Sequence, residues 1–128
     1  MKQMKKYLPL LWLAVLFYSP SILSKSEDMG KVVAYPNPFN PLKGNLTIKV
    51  PKYDNPPGQC STIGKIEYIV YTYDQKKIFS GNASSNCFNW SGYTSKGNRV
   101  PSGLYFIKIL VILSDSTSST KIVKIIVQ

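Results

Sequence analysis

From Lys25 to the end of the chain, apolar positions come in short alternating runs and never in a sustained repeat three and four residues apart. The runs are rich in Val, Ile, Tyr, Phe and Thr, and segments dense in Pro, Gly, Asn, Asp or Ser separate them. The pattern predicts an all-β domain. Strands are expected over residues 31–35, 45–50, 65–73, 77–79, 87–90, 103–113 and 120–127, with turns over 36–44, 54–58, 80–85, 92–101 and 114–119. Seven short strands suit a sandwich of two sheets.

Alternation also assigns faces, because successive strand residues point to opposite sides. Lys108 marks the solvent side of its strand, which turns Tyr105, Ile107 and Ile109 inward. Ile66, Tyr68 and Val70 point inward by the same logic, with Glu67 outside. In the last strand Lys124 argues for Val123, Ile125 and Val127 inside, which leaves Ile122 and Ile126 on the far side. Period two can bury only one side of a strand. Ile122, Lys124 and Ile126 therefore form a candidate docking strand, the alternative being a loop wrapped over this edge.

The first 24 residues read differently. Lys2, Lys5 and Lys6 precede an apolar run from Tyr7 to Tyr18 and then small and polar residues, which is the order of a secretory signal. A membrane span needs about 20 apolar residues, and this run is shorter. Residues 1–24 are thus expected to be a signal peptide, with cleavage open between 21 and 26. A short linker at 25–30 and one domain at 31–128 follow, with no membrane span left after cleavage. Export places the product in the periplasm, on the outer-membrane surface or outside the cell. No cysteine follows the apolar run, which argues against a lipid anchor.

The full chain has 16 basic and 6 acidic residues, a net of +10, and no histidine. Without residues 1–24 thirteen basic residues face six acidic ones, a net of +7. Positive potential attracts nucleic acid, anionic lipid and acidic polysaccharide. The lysines beyond the signal are nevertheless scattered, with one adjacent pair at Lys76 and Lys77, and this argues against nucleic acid. Cys60 and Cys87 are the only cysteines, and a disulfide is the expected use of an even pair in an oxidising compartment. Two reduced, buried thiols are the alternative. Two cysteines without histidine fall short of the usual four-ligand zinc sets, so no metal site is expected. No nucleophile–base pair or paired carboxylates stand out, and Asp115 among Ser114, Ser116 and Ser118 reads as a solvated hairpin loop. No catalytic residue, cofactor or enzyme activity is expected.

Tyr35, Pro36, Asn37, Pro38, Phe39, Asn40 and Pro41 form a run whose three prolines fix the backbone torsion and remove three amide donors. Such a run cannot be a central strand. It suits an extended lead-in to a sandwich, with Tyr35 and Phe39 able to plug the end of the core. Followed by Leu46 to Pro51, it closely resembles the opening of the bacterial immunoglobulin-like domain of the flagellar hook-capping protein, and of the C-terminal sorting domains of type IX secretion cargo. The resemblance continues at Thr72, Tyr73 and Asp74, at Trp90, Ser91 and Gly92, through Gly97, Val100, Pro101, Ser102, Gly103, Leu104, Tyr105 and Phe106, and at Lys121, Ile122 and Val123. Together these cover nearly all of the chain beyond the signal. The sequence departs from the pattern at Ser91, where an acid is usual. The turn after Tyr73 lacks the customary glycine, and the segment 55–61 with Cys60 is inserted. Trp90 and the three glycines read as fold residues, one filling the core and the others serving turns or close approaches. Sequons at Asn45, Asn82 and Asn89 are discounted for a bacterial protein.

The resemblance implies an immunoglobulin-like (fibronectin III-like) antiparallel β-sandwich of about seven strands. It implies an exported structural or attachment module of the cell envelope or an appendage. The expected partner is another such protein, a second copy or a surface glycan. The alternative is a type IX sorting and surface-anchoring domain without a large passenger, for which only about ten residues between signal and Tyr35 are a difficulty.

Overall fold

A computed structural model describes residues 28–128. The signal-peptide expectation and its cleavage site lie outside the described residues. Within them, seven strands run in order: β1 (Val33–Tyr35), β2 (Leu46–Lys49), β3 (Thr62–Thr72), β4 (Lys77–Ser85), β5 (Cys87–Trp90), β6 (Gly103–Ile112) and β7 (Ser118–Val127), with a single 3-10 turn at Pro51–Tyr53. They form two antiparallel sheets, β1-β2-β5 and β4-β3-β6-β7. The chain changes sheet after β2, after β4 and after β5, so each sheet joins strands that are distant in sequence. The expected sandwich is therefore present.

The inward faces are those that alternation assigns. Ile66, Val70, Ile107, Ile109, Val111 and Ile125 of the larger sheet are fully buried against Leu46, Ile48 and Trp90 of the smaller. Burying such side chains stabilises a fold by about 1.5–3 kcal/mol each. Trp90 lies at the centre of the aromatic packing, 6.0 Å from Phe39, 6.4 Å from Tyr105 and 6.5 Å from Phe79 between ring centroids. Its indole N–H donates to the Tyr93 carbonyl at 3.1 Å, which satisfies the polar end of a buried ring.

Three expectations need correction. Residues 80–85, rich in Gly, Asn and Ser, are not a turn; they continue β4 and pair with β3, Gly81 opposite Tyr68 and Ala83 opposite Ile66. The small residues serve packing, because a Cβ on Gly81 would sit 2.6 Å from the Tyr68 ring. Tyr35 does not plug the core: it is 44% exposed, with the Lys49 ammonium 5.8 Å from its ring centroid, and Phe39 alone fills that end. The run 36–38 bends instead of continuing extended. Met29, four residues before β1, is also buried in the core.

Candidate docking surface

The proline run acts as a clamp on β7. The Asn37 side-chain amide donates to the Lys124 carbonyl and accepts from the Ile126 N–H, the Phe39 N–H donates to the Ile126 carbonyl at 2.7 Å, and the Gln128 N–H donates to the Phe39 carbonyl at 2.8 Å. Backbone groups that a terminal strand leaves open for another chain are here used internally. The edge of β7 from Lys124 onward is thus occupied by the proline run, the alternative of a segment wrapped over this edge. Gly92 completes the clamp. It adopts φ +83°, and a Cβ there would meet Pro41 and Phe39 within 3.0 Å, so the tryptophan turn and the proline run pack directly together.

The sequence-predicted positions fall into two groups. Phe39, Trp90, Gly92 and Tyr105 are buried fold residues, with the Tyr105 hydroxyl donating to the Pro101 carbonyl at 2.6 Å. Gly97, in the segment before β6, and Gly103, the first residue of β6, both hold positive φ, and Ser102 is exposed next to Gly103. Asn40 caps its own turn, its side chain and carbonyl accepting from the Leu42 and Lys43 N–H groups. Tyr73, by contrast, is 73% exposed, and Ile122 and Ile126 are 61% and 46% exposed. Among the described residues, no loop covers their side chains.

These exposed residues belong to one surface, the outer face of the larger sheet. Register places Tyr71 beside Phe106 and Phe106 beside Lys124, Ile69 beside Lys108 and Lys108 beside Ile122, and Leu104 beside Ile126. A depression of about 570 Å3 opens among Tyr71, Tyr73, Gln75, Phe106, Lys108 and Ile122. Reading β7 alone finds Ile122 and Ile126. Tyr71 and Phe106 join them only through the order of the strands.

A second feature escaped the sequence reading. Asn86, at the corner between β4 and β5, is fully buried. Its side-chain N–H groups donate to the Val50 carbonyl at 3.1 Å and the Asp54 carboxylate at 2.6 Å, and its side-chain oxygen accepts from the Ser61 N–H at 2.7 Å. Its own backbone pairs with Ser61 and Val50 as well. Next to it Cys87 is bonded to Cys60, with 5.8 Å between Cα atoms, so the disulfide expected for the pair is present. Amide and disulfide together pin the loop 54–61 to the sandwich. The sole sequence signal was an asparagine adjoining a cysteine.

Among the described residues, no group of His, Cys, Asp or Glu side chains could hold a metal ion. No described helix is long and apolar enough to cross a membrane. Burial pushes the Tyr68 and Tyr105 hydroxyls above the usual tyrosine value; both lie between the sheets and not on the outer face.

The fold recurs in known proteins. The chain shares its fold with type IX secretion components. PorZ, an essential bacterial surface component of the type IX secretion system of Porphyromonas gingivalis, superposes with a TM-score of 0.56 at 20% identity, over 79% of this chain and 12% of PorZ. Dimeric latent PorU from the same organism gives 0.54 at 19% identity, over 75% of this chain and 9% of PorU. The chain thus spans about a tenth of the length of either protein. FlgD of Xanthomonas campestris, described for its role in flagellar hook capping, aligns over 74% of this chain and 62% of its own at 16% identity, with a TM-score of 0.43. No protein-family profile and no curated protein matches the chain.

Proposed function

We propose that the chain is an exported, non-catalytic structural or attachment module of the bacterial cell envelope or an appendage, acting by contact with another protein. One observation carries the reading: Leu104, Ile122, Ile126 and Tyr73 are all exposed on the outer face of the larger sheet. Exposed apolar groups gathered on one face and bordered by polar residues mark interaction sites. The disulfide supports an oxidising, extracytoplasmic location, and the fold shared with a bacterial surface component supports the envelope.

The test is envelope retention of the Ile126→Lys and Ile122→Lys variants. Both side chains are outside the core, so thermal unfolding should remain near wild type, within roughly 0.5 kcal/mol. Normal folding with lost retention is expected; normal retention would remove this face from consideration. A second reading, a type IX sorting and surface-anchoring domain, draws support from the fold shared with PorZ and PorU. In a host with that machinery, a reporter placed ahead of residues 28–128 would then reach the cell surface.

A further inference from the structure

The four strands of the larger sheet contain five lysines, Lys65, Lys77, Lys108, Lys121 and Lys124, and a single carboxylate, Glu67. Glu67 is already paired with Lys65 at 3.0 Å. Lys121 reaches the Gly30 carbonyl. That leaves Lys77, Lys108 and Lys124; on the outer face register sets apolar groups, and no carboxylate, directly beside Lys108 and Lys124. Lys108 stands between Ile69 and Ile122, and Lys124 beside Phe106. Lys77 stands opposite Tyr71 at the far side of the same row. Cations around an aromatic depression are complementary to a surface with the reverse arrangement, an apolar anchor ringed by carboxylates.

We infer that the outer face of the larger sheet docks an acidic protein segment carrying an aromatic or aliphatic anchor. The anchor fills the depression between Tyr71, Tyr73, Phe106 and Ile122, and the flanking carboxylates meet Lys108 and Lys124. The inference rests on the attachment reading above and adds the chemistry of the partner. A second copy of this chain does not fit, because face-to-face pairing would bring the same lysines together. Acidic polysaccharide shares the charge but offers no apolar anchor, and an anionic lipid surface takes up protruding apolar side chains and leaves a depression unfilled.

The test uses the full exported protein, isotope-labelled for amide NMR, against four defined probes. These are a synthetic Glu-rich peptide with Phe and Leu anchors, the same peptide with each Glu replaced by Lys, phosphatidylglycerol vesicles, and polygalacturonate. The acidic peptide should shift the amides of Tyr71, Phe106, Lys108 and Ile122, and the lysine peptide should not. Lys108→Glu and Lys124→Glu should each weaken acidic-peptide binding about tenfold with the thermal midpoint unchanged. Added salt should weaken it further. Equal binding by both charge variants would overturn the inference, as would a face that responds to vesicles or polygalacturonate and ignores the acidic peptide, self-association through this face, or no response to any probe. If the face stays silent while Ile126→Lys still abolishes envelope retention, the acidic partner falls and the attachment reading stands. Intact retention removes both.

Discussion

Truncating Asn86 to alanine should destabilise the domain by about 3 to 4 kcal/mol, although the residue contributes no apolar area. The side chain makes three hydrogen bonds, two with backbone groups of Val50 and Ser61 and one with the carboxylate of Asp54. Neutral bonds are worth about 1 kcal/mol each and one to a charged group about 1.5, and partners stranded inside the protein add their own desolvation cost. Val50 is fully buried, so its carbonyl gains no water in exchange. Ser61 and Asp54 are half-buried, and water there will recover part of the loss. For a domain of this size the change should lower the thermal midpoint by about 12 °C or more. The assay is urea and thermal unfolding of the disulfide-bonded protein, with Asn89→Ala on the neighbouring strand as control. Asn89 is exposed, so its truncation should change stability by less than about 0.5 kcal/mol. Asn86→Asp sharpens the test. It keeps an acceptor for the Ser61 N–H but sets a carboxylate against the Val50 carbonyl and Asp54, so it should be at least as damaging at neutral pH as alanine. An Asn86→Ala protein as stable as the Asn89→Ala control would refute the reasoning and leave the disulfide as the sole anchor of the loop.

Three further outcomes are expected. Replacing both Cys60 and Cys87 by serine should remove about 3.5 kcal/mol by the chain-entropy argument for a separation of 27 residues, and combined with Asn86→Ala the loss should fall short of the sum, because both devices hold one loop; denaturant titration of the double and triple variants measures the coupling. Gln75 holds φ +71° in the turn between β3 and β4, so Gln75→Gly should raise stability by about 0.5–1 kcal/mol and Gln75→Val should lower it, both read from thermal unfolding. Tyr68 has its hydroxyl value raised by burial; the unfolded chain therefore loses this proton first, and the stability Tyr68 contributes is fully present below about pH 10 and declines as pH rises beyond it. Tyr68→Phe should flatten that alkaline decline, and an unaltered slope above pH 10 in denaturant titrations would count against the burial of this hydroxyl.

Much of the sandwich is legible in one dimension, and the reason is periodicity. Alternation is a property of a strand by itself, so Ile66, Tyr68 and Val70, and likewise Tyr105, Ile107 and Ile109, declare their buried side without reference to any neighbour. Trp90 and the proline run declare fold roles in the same way, through ring size and missing amide donors. Where composition and partner disagree, the partner wins. Residues 80–85 carry turn-forming side chains, yet β3 pairs with them through Ala83, with an irregularity before Ser85, and Tyr68 requires the space above Gly81, so they extend β4. Tyr35 and Phe39 look alike in the sequence, and only the approach of β7 decides that Phe39 goes inside and Tyr35 stays out. Asn86 is one asparagine among many until the corner brings Val50, Asp54 and Ser61 around it. The docking surface is decided at the same level. Ile122 announces an unpartnered side on its own strand, but the depression beside it needs Tyr71 and Phe106, which lie on two other strands and are made its neighbours by the order β3-β6-β7. Strand pattern is local chemistry; which strands lie side by side is settled by burying all seven at once in a single core.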